Sequence, residues 1–252
     1  MIPKIIHYCW FGGSPIPDKY KKYMDTWKKN CPEYLIKEWN EKNFDVNTNQ
    51  YCKEAYKAKR WAFVSDYARL KIIYENGGVY LDTDVEMIKD LSPLISDGIG
   101  FIGFQNVMEV TTGLGFAAEK GNACVKAMLD VYNKRHFLGD NGKMNLIPCP
   151  ASNTVGLLKC GLKIGKKYSE EIQHLEGIRV YPKEYFNPLD FDTSKLETTE
   201  NSYMIHRYDA SWSSVNDKRR RAIKKIIPNR ILTYRMIRIA SKDIERVKKE
   251  IE

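Results

Sequence analysis

The sequence predicts an α/β fold on a mostly parallel sheet, and three observations predict it. The apolar run Ile5 to Phe11 stops at Gly12-Gly13 and reads as a strand buried on both faces. A helical stretch and a second apolar run follow, giving a β-α-β opening. Further on, a helical pattern over Arg60–Glu75 ends at Asn76-Gly77-Gly78 and leads into Val79-Tyr80-Leu81. Asp82-Thr83-Asp84 then stands at that strand's carboxyl end. Open α/β sheets bind ligands beyond the carboxyl ends of their strands, so these acids sit where such a fold does chemistry.

The elements follow in order. Asp18 to Lys29 carries Tyr20, Tyr23, Met24 and Trp27 at helical spacing, and Cys31-Pro32 ends it. Tyr34 to Trp39 is the second strand. In the Arg60–Glu75 helix, Phe63, Tyr67, Leu70 and Tyr74 recur at steps of four, three and four. The second half is less regular. Gly100–Phe104 and Leu114–Ala117 read as strands, Ala123–Lys134 as a helix, and Pro148-Cys149-Pro150 as a break. Val180-Tyr181-Pro182 and Tyr203–His206 are expected to be further strands.

The 252 residues are 43% hydrophobic and 29% charged, enough to bury a core in one large domain or two small ones. The six cysteines are scattered without a C-x-x-C pair, which excludes a zinc ribbon or a thioredoxin-like motif. The first residues lack the basic region and long apolar run of a secretory leader. The expectation is a cytoplasmic protein with free thiols, lying peripherally on the inner face of the cell membrane.

Charge divides the chain. Residues 218–252 carry thirteen Lys and Arg against four acids, a surplus equal to the whole net charge of +9. Residues 1–217 are therefore neutral overall and are expected to form the catalytic domain. Residues 218–252 are expected to form a basic amphipathic helical tail, broken at Pro228. A neutral body argues against a nucleic-acid groove, and no specific nucleic-acid partner is expected. Basic and apolar positions alternate through Ile223, Ile226, Ile231 and Ile239. That pattern suits either a solvated helix or one that binds an anionic membrane surface.

Two carboxylates one residue apart after an apolar strand suit a divalent cation, since Mg2+ and Mn2+ take oxygen ligands and commonly bridge carboxylates to phosphates. A lone D-x-D is common in surface turns, and the apolar strand before this one gives it weight. Asp66 and Arg69 lie three apart on one helix face. They form either an intrahelical ion pair or a ribose and diphosphate contact, a guanidinium fork matching phosphate oxygens. His206 is either a structural histidine or a third metal ligand, and His7, inside an apolar strand, reads as structural. Trp10 is either core or a platform for a nucleotide base.

The blocks Ile2-Pro3-Lys4-Ile5-Ile6-His7-Tyr8-Cys9-Trp10-Phe11-Gly12-Gly13, Ser65-Asp66-Tyr67-Ala68-Arg69 and Gly77-Gly78-Val79-Tyr80-Leu81-Asp82-Thr83-Asp84-Val85 resemble the family 32 glycosyltransferases. These are proteins with a DXD-containing sugar-binding region, among them Och1-like mannosyltransferases and bacterial capsular polysaccharide enzymes. More distantly the blocks resemble clostridial toxin glucosyltransferase domains. The resemblance implies a GT-A fold, a Rossmann-like nucleotide-sugar-binding fold with a mixed, mostly parallel sheet, here followed by basic C-terminal helices. It implies that Trp10 stacks on the base, that Asp66 and Arg69 contact ribose, sugar or phosphate, and that Tyr80 lines the donor site. Asp82 and Asp84 would hold Mn2+ or Mg2+, with His206 in place of the relatives' late acid, and Ser211 and Trp212 would touch the β-phosphate.

The implied activity is retaining transfer of a hexose from a nucleotide sugar, a UDP-hexose first among donors, by a front-face route. The acceptor would be a saccharide, lipid-linked, in surface polysaccharide (capsule) synthesis. The competing readings are a metal-dependent phosphodiester or nucleotide hydrolase, a basic nucleic-acid-binding protein, and a transferase-like scaffold without activity.

Overall fold

The computed structural model describes residues 1–139, 141–191, 193–208 and 229–252. The chain opens with β1 (Ile5–Cys9), α1 (Asp18–Asn30), β2 (Leu35–Trp39), α2 (Gln50–Lys57) and α3 (Trp61–Asn76). Next come β3 (Gly78–Tyr80), β4 (Val85–Met87), the one-turn α4 (Ser92–Ile95), β5 (Gly100–Asn106) and β6 (Glu109–Thr111). A 3-10 turn at Thr112–Leu114 precedes β7 (Phe116–Ala118), α5 (Ala123–Asn133), α6 (Cys149–Leu158) and α7 (Lys166–Ser169). The remainder is β8 (Gln173–Leu175), β9 (Ile178–Tyr181), α8 (Lys183–Phe186), β10 (Met204–His206) and α9 (Asn229–Ile251).

One eight-stranded sheet runs β2-β1-β3-β7-β5-β9-β8, with β6 on β5. It is mixed. β2, β1 and β3 are parallel neighbours, β7 runs against β3 and β5, and β9 is parallel to β5. Five of the eight strands thus point one way, and the acids follow one of those five, β3. A second, two-stranded sheet pairs β4 with β10 antiparallel.

Two apolar layers cover the main sheet. On one side α2, α3, α5 and α6 bury Val64, Leu70, Ile73, Met128, Tyr132 and Leu157. On the other, α1 and the loops around α4 bury Trp27, Tyr34, Leu91 and Leu94. Trp27 is fully buried, and its Nε1 donates to the Val85 carbonyl at 2.8 Å. That bond fixes β4, and with it the loop that carries the acids. Losing such a side chain from a core costs about 3–5 kcal/mol.

The expected elements form with shifted ends. Leu114–Ala117 divides into the 3-10 turn and β7, because the Thr111 side chain caps Gly113 and Gly115 takes φ +112°. Pro148-Cys149-Pro150 is a helix start, since proline is tolerated in a first turn whose N–H groups have no partner within the helix. The last helix packs Ile244, Val247 and Ile251 against Val131, Ile147, Ala151 and Val155.

Candidate active site

The acidic loop is built by glycine and by strand pairing. Gly77 and Gly78 take φ of +68° and +103°, which turns the chain out of α3 and into β3. A side chain at Gly78 would meet the Ile5 carbonyl at 2.8 Å, so this position also lets β3 lie close beside β1. Beyond β3, the Val85 N–H donates to the Asp82 carbonyl at 3.0 Å, closing a turn around Thr83 and Asp84. The β4–β10 pairing sets His206 opposite Val85 and so brings it to the acids.

Asp82, Asp84 and His206 each offer a ligand atom, and these atoms lie within 4.8 Å of one another. His206 Nε2 is 3.2 Å from Asp84 Oδ1. His206 Nδ1 is buried and has no hydrogen-bond partner among the described residues. The three side chains are 25%, 16% and 14% exposed, which leaves the cluster accessible from one side. Two carboxylates and an imidazole fit Mn2+ better than Mg2+, because imidazole is a poor ligand for the harder ion.

Behind the cluster lies a buried ion chain. Arg69 Nη2 donates to Asp66 Oδ1 at 2.8 Å, and Nη1 stands 3.4 Å from Asp82 Oδ2. Arg69 Nε donates to the Ser65 carbonyl, and Tyr80 Oη donates to Asp82 Oδ1 at 2.9 Å. Both Asp82 oxygens are therefore engaged from within the protein, whereas Asp84 faces His206. The Asp66–Arg69 pair is intrahelical and buried, and it leans on the acidic loop.

The charges interact as this geometry requires. Burial pushes Asp66 up to about 6, against the pull of Arg69. Burial also raises Asp82; Arg69 opposes the shift and the neighbouring Asp84 adds to it. His206 is raised because Asp84 and Asp82 outweigh its burial. For Arg69, burial works against the charge, but Asp82, Tyr80 and Asp66 outweigh it, so the guanidinium stays charged.

Residues that sequence reading did not single out complete the walls. A Cβ at Gly113 would sit 2.9 Å from Asp82 Oδ2 and 3.1 Å from Arg69 Nη1, so bare backbone lies against the pair. Asn153 Oδ1 accepts from both the N–H and the hydroxyl of Thr112. Cys149 Sγ lies 3.5 Å from Thr111 Oγ1. Cys9, at the end of β1, sits beside Tyr80, Arg69 and Asp82. Glycine, cysteine and threonine carry no motif here, and their positions depend on long-range pairing.

Trp10 follows β1 at the same edge of the sheet. Its Nε1 donates to the Ser14 carbonyl at 2.6 Å, and its ring lies 5.8 Å from Tyr20. It is partly buried. Ser211 and Trp212 lie outside the described residues. His7 is structural: 1% exposed, its Nδ1 accepts from Trp39 Nε1 at 2.9 Å and its Nε2 lies 3.1 Å from the Gly77 carbonyl.

Residues 17–99 match the glycosyltransferase sugar-binding region containing the DXD motif. That span holds Asp66, Arg69, Tyr80, Asp82 and Asp84. Over those residues, about a third of the chain, the protein is similar to DXD-containing glycosyltransferases. Over 224 residues the chain is 26% identical to an uncharacterised glycosyltransferase of Acanthamoeba polyphaga mimivirus, covering 84% of each chain. It is 30% identical over 102 residues to inositol phosphoceramide mannosyltransferase 3 of Schizosaccharomyces pombe, covering 37% of this chain and 27% of that one. Among solved structures it is similar to the PaToxG glycosyltransferase, at 21% identity and a TM-score of 0.49, over 63% of this chain and 69% of that one. The Asp66–Arg69–Asp82 chain and the Asp82–Asp84–His206 cluster meet at one carboxylate, Asp82.

Proposed function

We propose that this protein is a glycosyltransferase that moves a hexose from a nucleotide sugar, a UDP-hexose first among donors, to a saccharide acceptor with retention of configuration. The reading is carried by the convergence of Asp82, Asp84 and His206 within 4.8 Å beside the fixed cation Arg69. Asp82, Asp84 and His206 would hold Mn2+, which when bound neutralises charge on a leaving diphosphate. Arg69 sits next to the same charge, held in place by Asp66 and Asp82 and needing no reorganisation. Tyr80 keeps Asp82 oriented through one oxygen, beside Asp84 and His206. Trp10, at the neighbouring strand end, is the candidate base platform. Departure of the diphosphate and attack by the acceptor on the same face suit the front-face route.

Calorimetric titration with UDP, GDP and CDP, each with and without Mn2+, tests this. Mn2+-dependent binding of one nucleotide, lost in Asp84→Ala, supports the donor site and names the base. Absence of binding by all three overturns it. The fission-yeast relative is a mannosyltransferase by name, which keeps mannose, and hence GDP, as the second expectation.

The proposed acceptor is lipid-linked, in surface polysaccharide synthesis at the inner face of the cell membrane. The outward stripe of α9 supports this. Ile231, Tyr234 and Ile239 are 57%, 71% and 54% exposed and alternate with Arg235, Arg238 and Lys242 on one helix face. Apolar residues interleaved with cations suit an anionic membrane surface. Among the described residues no helix is long and apolar enough to cross a membrane. Co-sedimentation with phosphatidylserine vesicles at low salt, reduced by charge reversal at Arg235 and Arg238, is the expected result. Protein that stays in the supernatant rules out this partner.

A further inference from the structure

Glu250 occupies an unfavourable place. It lies in the last turn of α9, where the helix dipole favours cations and disfavours a carboxylate. Lys248 and Lys249 beside it are what a helix end prefers. Glu250 is held there by Arg135, whose Nε lies 2.7 Å from Glu250 Oε2, and by Asn145, whose Nδ2 is 3.0 Å from Oε1. Lys134 Nζ donates to the Ile251 carbonyl at 2.7 Å and ties down the same turn.

Arg135 has a fully buried side chain and points inward. Its Nη1 donates to Ser152 Oγ, and its Cζ lies 5.6 Å from the Tyr51 ring centroid. Ser152 belongs to the first turns of α6, between Cys149 and Asn153. Those two neighbours reach the wall of the active site, Cys149 at Thr111 and Asn153 at Thr112, next to the Gly113 backbone that lies on the Arg69–Asp82 pair. A series of polar contacts therefore runs from Glu250 through Arg135 and Ser152 to the start of α6, and from Asn153 there to Thr112 beside Gly113.

We propose that Arg135 and Glu250 are positioning residues for donor binding, through which the end of the C-terminal helix sets the placement of α6 and of the Gly113 backbone against the Arg69–Asp82 pair. The inference rests on the reading of the Asp66–Arg69–Asp82 chain as part of the nucleotide-sugar site. A purely space-filling role does not need this chemistry, because a buried ion pair replaced by apolar groups of similar volume is often no less stable. The grip of Arg135 on Ser152 falls instead on the turn that carries two active-site contacts.

The test is binding of UDP with Mn2+, or of GDP with Mn2+ where UDP does not bind. It uses the full chain as wild type, Glu250→Gln, Arg135→Lys and Arg135→Met, with melting temperatures and donor KM and kcat measured alongside. Glu250 is about a third exposed at a helix end, so Glu250→Gln is expected to fold and decides the matter even where Arg135→Met does not. The expected result is a nucleotide Kd and a donor KM raised roughly 3- to 30-fold in Glu250→Gln, with kcat less affected. Arg135→Lys should keep part of the wild-type affinity where Arg135→Met, if folded, keeps little. A Glu250→Gln protein with wild-type Kd and KM overturns the inference, whatever its melting temperature. Wild-type protein that binds neither nucleotide overturns the donor-site reading and the inference together.

Discussion

His206 Nε2 lies 3.2 Å from Asp84 Oδ1, on strands paired between β4 and β10. The imidazole is buried on its Nδ1 side and faces the acids on its Nε2 side. Replacing it with alanine removes a nitrogen ligand while leaving the paired backbone in place. Loss of even an outer partner of a metal ligand weakens metal affinity about 10- to 100-fold. His206→Ala should therefore lose at least about tenfold in Mn2+ affinity, read by Mn2+ titration in the presence of nucleotide. An unchanged Mn2+ affinity would remove His206 from the ligand set.

Much of that site was legible in the sequence. The β1 run, the α3 periodicity, the double glycine and the D-x-D put Asp66 and Arg69 on a helix and Tyr80, Asp82 and Asp84 at a strand end, where the structure has them, because each signal is local. β4 and β10 have three residues each, too few for an alternating pattern to stand out. Cys149 was hidden for a different reason. Pro148 and Pro150 read as a break, although a proline in a first helical turn costs little. Gly113 contributes by what it lacks, and only the folded backbone shows what its missing side chain would hit.

Arg69 joins two buried carboxylates, so its substitutions should separate charge from geometry. Arg69→Met leaves Asp66 and Asp82 facing each other without a cation. Removing one partner of a buried pair costs about 3–5 kcal/mol. Urea denaturation should show a loss of that order for Arg69→Met. Arg69→Lys keeps the charge but cannot fork to both acids. It should recover part of the stability and little of the transferase activity. Full activity in the lysine variant would show that the bridging geometry does not matter.

Gly113→Ala tests the bare backbone beside the pair. The new Cβ would stand 2.9 Å from Asp82 Oδ2 and 3.1 Å from Arg69 Nη1. Overpacking of this kind costs about 1–3 kcal/mol, and here the atoms that must move belong to the site. Donor binding should fall by tenfold or more, roughly what 1.4 kcal/mol of misplacement costs. Gly139→Ala is the control, because its Cβ would meet nothing nearer than 3.6 Å. Equal loss in the two variants would point to a general effect of substituting glycine.

His7 makes folding sensitive to acid. Burial, with Lys37 adding to it, pushes its imidazole down to about 4, although the hydrogen bond to the Gly77 carbonyl pulls the other way. The neutral ring accepts from Trp39 at Nδ1; a proton there would set one donor against another. The unfolded chain binds that proton near the ordinary value of 6.5, so it carries more protons than the native state between about 6.5 and 4. Stability therefore rises with pH across that window and is lost as pH falls through it, by roughly 3 kcal/mol at most. Asp66 runs the opposite way, since its carboxyl is raised rather than lowered and acidification favours its buried neutral form. His7→Gln offers the same acceptor and donor without a titrating group. Its urea midpoint should fall less between pH 7 and pH 4.5 than that of the wild type. The difference between the two proteins isolates His7, because Asp66 titrates alike in both. Acid limbs of equal steepness would assign the loss to other groups.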